Sequence, residues 1–200
     1  PRQIWFDEDI KRLNADGLGV LLGSFKGEDK ILTINKKGEA KLVSFDLSNR
    51  FDEELEVIEK WRPNKPISCV YFDAEKERYF VKRFLLEDTV SPQVFYNLED
   101  AKSSIKVIST DYLPVIELIY PKVKGEEKEP EVISLEEFIT VKGIKAQGNQ
   151  LTTSKLKQIN VLAPLPFEEI EEEEVENEED QQPTLFDEVE EKETNIEEGE

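Results

Sequence analysis

The sequence has no histidine and no methionine, and its 200 residues include one cysteine. Histidine is the commonest general base and a frequent metal ligand, so its absence argues against the usual catalytic dyads and zinc sites. The single cysteine, Cys69, allows no internal disulfide. It lies in the apolar run ISCVYF, where we expect a small buried side chain rather than a nucleophile. We therefore predict no catalytic residue, no metal site and no cofactor in this chain.

Long apolar runs are also missing. No stretch approaches the length of a membrane span, and the chain does not open with a signal peptide. Without an initiator methionine, and opening directly into IWF, the chain is expected to be a piece of a longer protein. We expect a reducing, cytoplasmic setting and no membrane partner.

Acidic and basic residues are unevenly distributed, although the whole chain carries a net charge of −20. Residues 168–200 hold 18 acidic residues and one lysine, while residues 1–167 hold 28 acidic and 25 basic residues. Residues 138–167 contain four lysines and no acid. We therefore predict two parts, a nearly neutral body with a basic side at 1–166 and an acidic tail at 167–200.

The tail has too few apolar residues and too much like charge to bury a core, so we predict that it is disordered. Its charge makes it a candidate competitor for the basic side of the body, or simply a solubilising end. Within it, Gln182, Leu185 and Phe186 resemble the glutamine–x–x–leucine–phenylalanine peptide with which bacterial replication proteins dock on the sliding clamp. The alternatives are a chance match or docking on the body itself.

Strand–turn–strand units recur along the body. Residues 31–45 read ILTINKKGEAKLVSF and residues 69–84 read CVYFDAEKERYFVKRF, each with two β-rich runs around a polar turn. A third unit begins at 115–120 and resumes at 138–151. The segment 51–61 fits either a helix or a strand, and we favour a strand or mixed structure. Spacings of about 40 to 50 residues favour an all-β, blade-like array.

The opening segments, IWFDEDIKRLNADGLGVLLGSF and DKILTINKKGEAKLVSF, resemble a repeat of the C-terminal domain of bacterial type IIA topoisomerase A subunits. The stretch VKGIKAQGNQLTTSKLKQINVL is similar to a hairpin of a later repeat. The likeness covers 1–166 and is greater to the topoisomerase IV branch than to gyrase, whose glutamine–arginine–arginine–glycine–glycine–lysine–glycine heptapeptide is absent. The resemblance implies a partial β-pinwheel of about three four-stranded blades.

The resemblance also implies a function. The domain would bind and bend duplex DNA without reading its sequence, and would present DNA to a catalytic core outside this chain. The parent enzyme would hydrolyse ATP, use Mg, act with the rest of its A subunit and an ATPase B subunit, and associate with the bacterial nucleoid. The residues expected to contact DNA are Arg12, Lys36, Lys37, Lys41, Lys82, Arg83, Lys142, Lys145, Lys155 and Lys157.

A different class of protein stays open at this point. An all-β body with a long acidic tail also describes interaction modules of the histone-chaperone kind, which bind basic proteins. Lysines clustered on one rim would favour DNA, and scattered lysines would favour the chaperone.

Overall fold

A computed structural model of the chain describes residues 1–169. The chain divides into a compact unit, Pro1–Phe167, and a remainder, Glu168–Glu200. The described residues form fourteen strands and one short helix, which confirms the predicted all-β class. In chain order they are β1 (Arg2–Asp7), β2 (Arg12–Asn14), β3 (Val20–Phe25), β4 (Ile31–Asn35), β5 (Glu39–Val43), β6 (Leu55–Lys60), β7 (Ile67–Asp73), β8 (Arg78–Phe84), β9 (Gln93–Val94), β10 (Ser104–Ser109), β11 (Val115–Ile119), β12 (Glu131–Ser134), α1 (Leu135–Phe138), β13 (Asn149–Thr152) and β14 (Gln158–Leu162).

Two sets of predictions concern the end of the chain. The disordered acidic tail, beyond residue 169, and the docking peptide of Gln182, Leu185 and Phe186 lie outside the described residues, so both stay predictions. Within residues 1–169, no helix has the length and apolar character needed to cross a membrane.

The strands of residues 1–169 form four antiparallel sheets. Sheet 1 has the order β2-β1-β3, sheet 2 β6-β4-β5-β9, sheet 3 β10-β7-β8-β13 and sheet 4 β12-β11-β14. The pattern is consistent with a pinwheel-like domain, but there are four sheets where we expected about three, and two of them have three strands. The sequence does not show sheet 1 as a separate blade, because β2 has only three residues and glycines flank or interrupt β3.

Side-chain hydrogen bonds to backbone amides stabilise the turns of the two predicted hairpins. The Asn35 side-chain oxygen accepts hydrogen bonds from the amides of Lys37 (3.0 Å) and Glu39 (3.1 Å), while Gly38 adopts a left-handed φ of 87°. Asp73 accepts from two backbone amides of the turn between β7 and β8 in the same way. Asn and Asp favour such turns because their short side chains satisfy the turn amides. The segment 51–61 contains strand β6, which confirms the strand prediction.

Neighbouring sheets exchange strands. Sheets 2 and 3 each contain a hairpin, β4–β5 and β7–β8, and one edge strand that lies much later in the sequence. In sheet 2 the edge strand β9 pairs with β5 but follows β7 and β8 in the chain. In sheet 3 the edge strand β13 pairs with β8 but follows β11 and β12. A single bridge between Arg12 of β2 and Arg50 gives sheet 1 the same arrangement. Sheets 1, 2 and 3 are therefore each completed by a segment that follows the hairpin of the next sheet in the chain.

The core consists of three apolar layers between successive sheets. One layer joins sheets 1 and 2 around Phe6, Phe25 and Ile31, and another joins sheets 3 and 4 around Val70 and Ile116. The middle layer packs residues of sheet 2 against residues of sheet 3. Sheets 2 and 3 are therefore covered on both faces.

Sheet 3 shows what double coverage does to a strand. In β7, Cys69 faces the layer toward sheet 2 and Val70 faces the layer toward sheet 4, and in β8 Phe80 and Val81 divide in the same way. Burial raises the pKa of the Cys69 thiol to about 12, so it stays protonated as a small apolar group. The expectation that Cys69 is buried is confirmed.

We predict that Gly148→Ala will destabilise the body. Gly148 directly precedes the exchanged strand β13 with φ 89°, and an added Cβ would lie 2.1 Å from the carbonyl oxygen of Val81. The left-handed conformation alone costs a non-glycine residue about 1–3 kcal/mol, and the clash adds to it. Urea unfolding followed by tryptophan fluorescence measures the change.

Gly143→Ala is the matched control, because its added Cβ meets nothing within 4 Å and its φ lies outside the left-handed range. Equal stability of the two variants would contradict the close approach of β13 to β8.

Candidate nucleic-acid interface

Lys106 occupies a bulge in β10, the free edge strand of sheet 3. The pairing of β10 with β7 runs from Ile105 opposite Tyr71 to Val107 opposite Val70, so that Lys106 has no paired residue. Bulges redirect side chains at sheet edges, and the Lys106 side chain is exposed.

Two shallow grooves meet at Lys106. One, of about 250 Å³, lies between sheets 2 and 3 and is lined by Lys36, Glu56, Lys106 and the neighbouring residues of β10. The other, of about 110 Å³, lies between sheets 3 and 4 and is lined by Tyr79, Lys106, Lys157 and the start of β14. Lys36, Lys106 and Lys157 thus form a row, the edge row, that crosses three sheets.

Backbone hydrogen bonds hold the two ends of the edge row. The amide of Lys36 donates to the carbonyl of Glu54 at 3.1 Å, and the amide of Lys157 donates to the carbonyl of Ile119 at 2.8 Å. All three side chains are exposed, and none forms an ion pair within residues 1–169. The ammonium groups are therefore available to an external anion.

Several other predicted contacts are partly neutralised. Lys37 lies 3.3 Å from Glu54, and Lys41 lies 3.4 Å from Glu39. Exposed pairs of this kind are worth about 0–1 kcal/mol, so a phosphate can compete with them. Arg12 is exposed on β2 of sheet 1, a sheet that contributes no residue to the edge row.

The four lysines of residues 138–167, the segment without acidic residues, divide between the two edges of sheet 3. Lys142 and Lys145 are exposed in the loop before β13, the edge opposite β10, and Lys142 donates to the Asn149 side chain at 3.0 Å. Lys155 is exposed in the turn that leads to β14 and Lys157. The structure therefore does not gather the predicted residues on one rim.

Lys82 and Arg83 are buried, with 6% and 4% of their surfaces exposed. The Lys82 ammonium donates to the carbonyl oxygens of Phe95 (2.8 Å) and Ile144, and Arg83 donates to Ser68 (3.1 Å) and to the carbonyl of Tyr112 (2.7 Å). We expected both at a rim because hairpin strands usually have one wet face, but sheet 3 is covered on both faces. Both predicted contacts are therefore wrong, because neither side chain is accessible to an external polyanion.

Lys106 was missed from the sequence. Its run, SIKVIS, places one lysine among apolar residues, and nothing local shows that a bulge turns that lysine outward. The available signal was weak: a single basic residue in a strand with no acid beside it.

The edge row can neutralise a phosphate backbone. Each ammonium that meets a phosphate releases a condensed counterion, and such contacts carry no base information. Its spread over three sheets makes it a track rather than a pocket.

A comparison with known families gives a match over most of the described body. A family model described as "Topoisomerase C-terminal domain, Bacteroidota" matches residues 12–163, which include all four sheets in whole or in part. No curated protein and no solved structure matches the chain.

We predict that Lys82→Met will lower the stability of the body by about 1–3 kcal/mol, because two buried carbonyls lose their ammonium donor. Lys155→Met, an exposed change of the same chemistry, should leave the urea midpoint unchanged. A Lys82→Met protein as stable as the wild type would mean that relief from burying the charge outweighs the lost hydrogen bonds.

Proposed function

We propose that this chain, which belongs to the topoisomerase C-terminal domain family of Bacteroidota, binds duplex DNA along the edge row without reading its sequence. The observation that carries the proposal is the line of Lys36, Lys106 and Lys157 across three sheets, exposed and without ion pairs within residues 1–169.

Bending of the DNA is part of the proposal. Bending a site of 20–30 base pairs costs about 1–6 kcal/mol, and added phosphate contacts offset that cost. We infer that bending lets the duplex follow the row across the boundaries between sheets and reach all three of its lysines. The bent segment is then presented to a catalytic core outside this chain.

The finer identity is also a proposal. Absence of the gyrase heptapeptide from the sequence supports the A subunit of topoisomerase IV, with gyrase as second choice. The parent would be a type IIA enzyme that uses ATP and Mg in its other regions, with an ATPase B subunit. We place it in the bacterial cytoplasm at the nucleoid.

The chaperone alternative is less well supported. The lysines do lie at both edges of sheet 3, as scattered lysines would. However, the family match points to a topoisomerase, and a binder of basic proteins would not need an unpaired row of lysines on its body.

We predict that Lys106→Ala together with Lys157→Ala will weaken binding to all duplex sequences alike. With four to six phosphates contacted, log K should fall with log salt at a slope of about −4 to −5, and the double variant should flatten this slope by about 2. Fluorescence anisotropy with two unrelated duplexes across a salt series measures both quantities.

Lys142→Ala together with Lys145→Ala removes the same charge from the opposite edge of sheet 3 and is the matched comparison. A larger change of slope in that variant would move the DNA path to the β13 edge. No binding of the folded wild-type chain at low salt would refute the function.

Glu56 shares the first groove with Lys36 and Lys106. We predict that Glu56→Gln will tighten DNA binding about two- to fivefold at low salt, because a carboxylate that repels the phosphates is removed. Glu8→Gln, in the turn between β1 and β2, is the control of equal charge. A similar gain in both variants would indicate a general effect of net charge.

A further inference from the structure

A cleft of about 350 Å³ lies where sheets 2 and 3 exchange strands, separate from the edge row. Its walls come from β7, from the turn between β7 and β8, from Lys82 within β8, from the chain that follows β9, and from the loop that precedes β13. The residues that matter here are Tyr71, Asp73, Lys76, Lys82, Tyr96 and Lys145. The cleft is therefore built by both exchanged segments.

The base of the cleft holds a buried cation without an anionic partner. Only 6% of the Lys82 surface is exposed, and the two groups that accept hydrogen bonds from its ammonium are neutral carbonyls. No carboxylate of residues 1–169 forms an ion pair with it. An ammonium has three protons, so one is left for another acceptor. Burial lowers the pKa of Lys82, and an anion beside it would offset that effect.

A second observation is independent of Lys82. The hydroxyl of Tyr96 is buried and has no hydrogen-bond partner. Burial raises the pKa of Tyr96, so the hydroxyl keeps its proton and serves as a donor. The ring is fixed by an edge contact with Tyr71, 5.8 Å between centroids. Gly38 makes room for it, since a Cβ there would lie 2.6 Å from the Tyr96 Cβ.

Two further lysines stand at the cleft. Lys76 and Lys145 are exposed, and neither forms an ion pair within the described residues. Asp73 is the one acidic lining residue, and its Oδ1 already accepts hydrogen bonds from the amides of Glu75 and Lys76 at 3.1 and 3.2 Å. Three lysines therefore line the cleft with one aspartate, and this excess of positive charge suits a compact anion.

We infer that this cleft is a binding site for one phosphoryl group, held by Lys82, Tyr96 and Lys145. The volume accommodates a tetrahedral anion with several waters, given about 30 Å³ per water. The phosphoryl group belongs either to free phosphate or to the backbone of bound DNA. The site stands on its own residues and does not depend on the edge row.

The test is thermal unfolding of the full chain in inorganic phosphate and in chloride at equal ionic strength. At phosphate tenfold above its Kd, we expect Tm to rise about 3–6 °C beyond the chloride value. Tyr96→Phe and Lys145→Gln should each weaken phosphate binding about tenfold or more. Tyr79→Phe and Lys155→Gln, which lie outside the cleft, should respond like the wild type.

Tyr96→Phe also separates an effect on phosphate binding from an effect on the stability of the fold. Because the hydroxyl lacks a partner, its removal should leave Tm in phosphate-free buffer unchanged or slightly higher. A clear loss of Tm there would show that the hydroxyl is already bonded and would overturn the proposal. A phosphate effect no larger than that of chloride, or one retained in both cleft variants, would overturn it too.

Duplex DNA distinguishes the two sources of phosphate. If DNA supplies the phosphoryl group, Tyr96→Phe weakens DNA binding and free phosphate competes with the duplex. If the ligand is free phosphate, the variant binds DNA as the wild type does while its phosphate effect is lost. Either result supports the site, and neither alters the change of slope expected for the variant of Lys106 and Lys157.

Discussion

Strand exchange between neighbouring sheets is the constraint on which the rest of the body depends. The strands β9 and β13 complete sheets that the chain has already left, so the chain that links sheets 2, 3 and 4 is held by pairing within sheets 2 and 3, while apolar layers pack the sheets together. Lys82 of β8 links the two exchanged segments, because its ammonium donates to the carbonyl of Phe95, just after β9, and to that of Ile144, before β13. A change at either exchanged strand should therefore reach two sheets at once.

The same constraint decides where charge is displayed. Because sheet 3 is covered on both faces, Lys82 and Arg83 in its hairpin strand β8 turn inward. Turns, loops and free strand edges leave a lysine exposed to solvent. The edge row uses all three positions: Lys36 in a turn, Lys106 at an edge bulge and Lys157 just before β14. The stacking of the sheets therefore explains why the lysines of the edge row lie on the surface of sheets 2, 3 and 4.

The hairpins β4–β5 and β7–β8 could be predicted because their turns and β-rich runs are local in the sequence. The exchanged strands could not, since β9 has two residues and β13 pairs with β8 across more than sixty residues of chain. The burial of Lys82 and Arg83 was missed because local alternation does not show that both faces of a sheet are covered. Lys106 was missed because a bulge is a property of two strands. The family and the all-β class followed from repeated motifs, whereas the grouping of the lysines required the fold.

Lysine footprinting tests the central claim most directly. The chain is acetylated briefly with and without saturating duplex DNA, and mass spectrometry measures the rate at each lysine. The account predicts that DNA slows acetylation of Lys36, Lys106 and Lys157 together, while Lys11, in the turn between β1 and β2, reacts at the same rate in both samples. Protection confined to Lys142 and Lys145, or equal protection of every exposed lysine, would contradict a DNA path along the β10 edge.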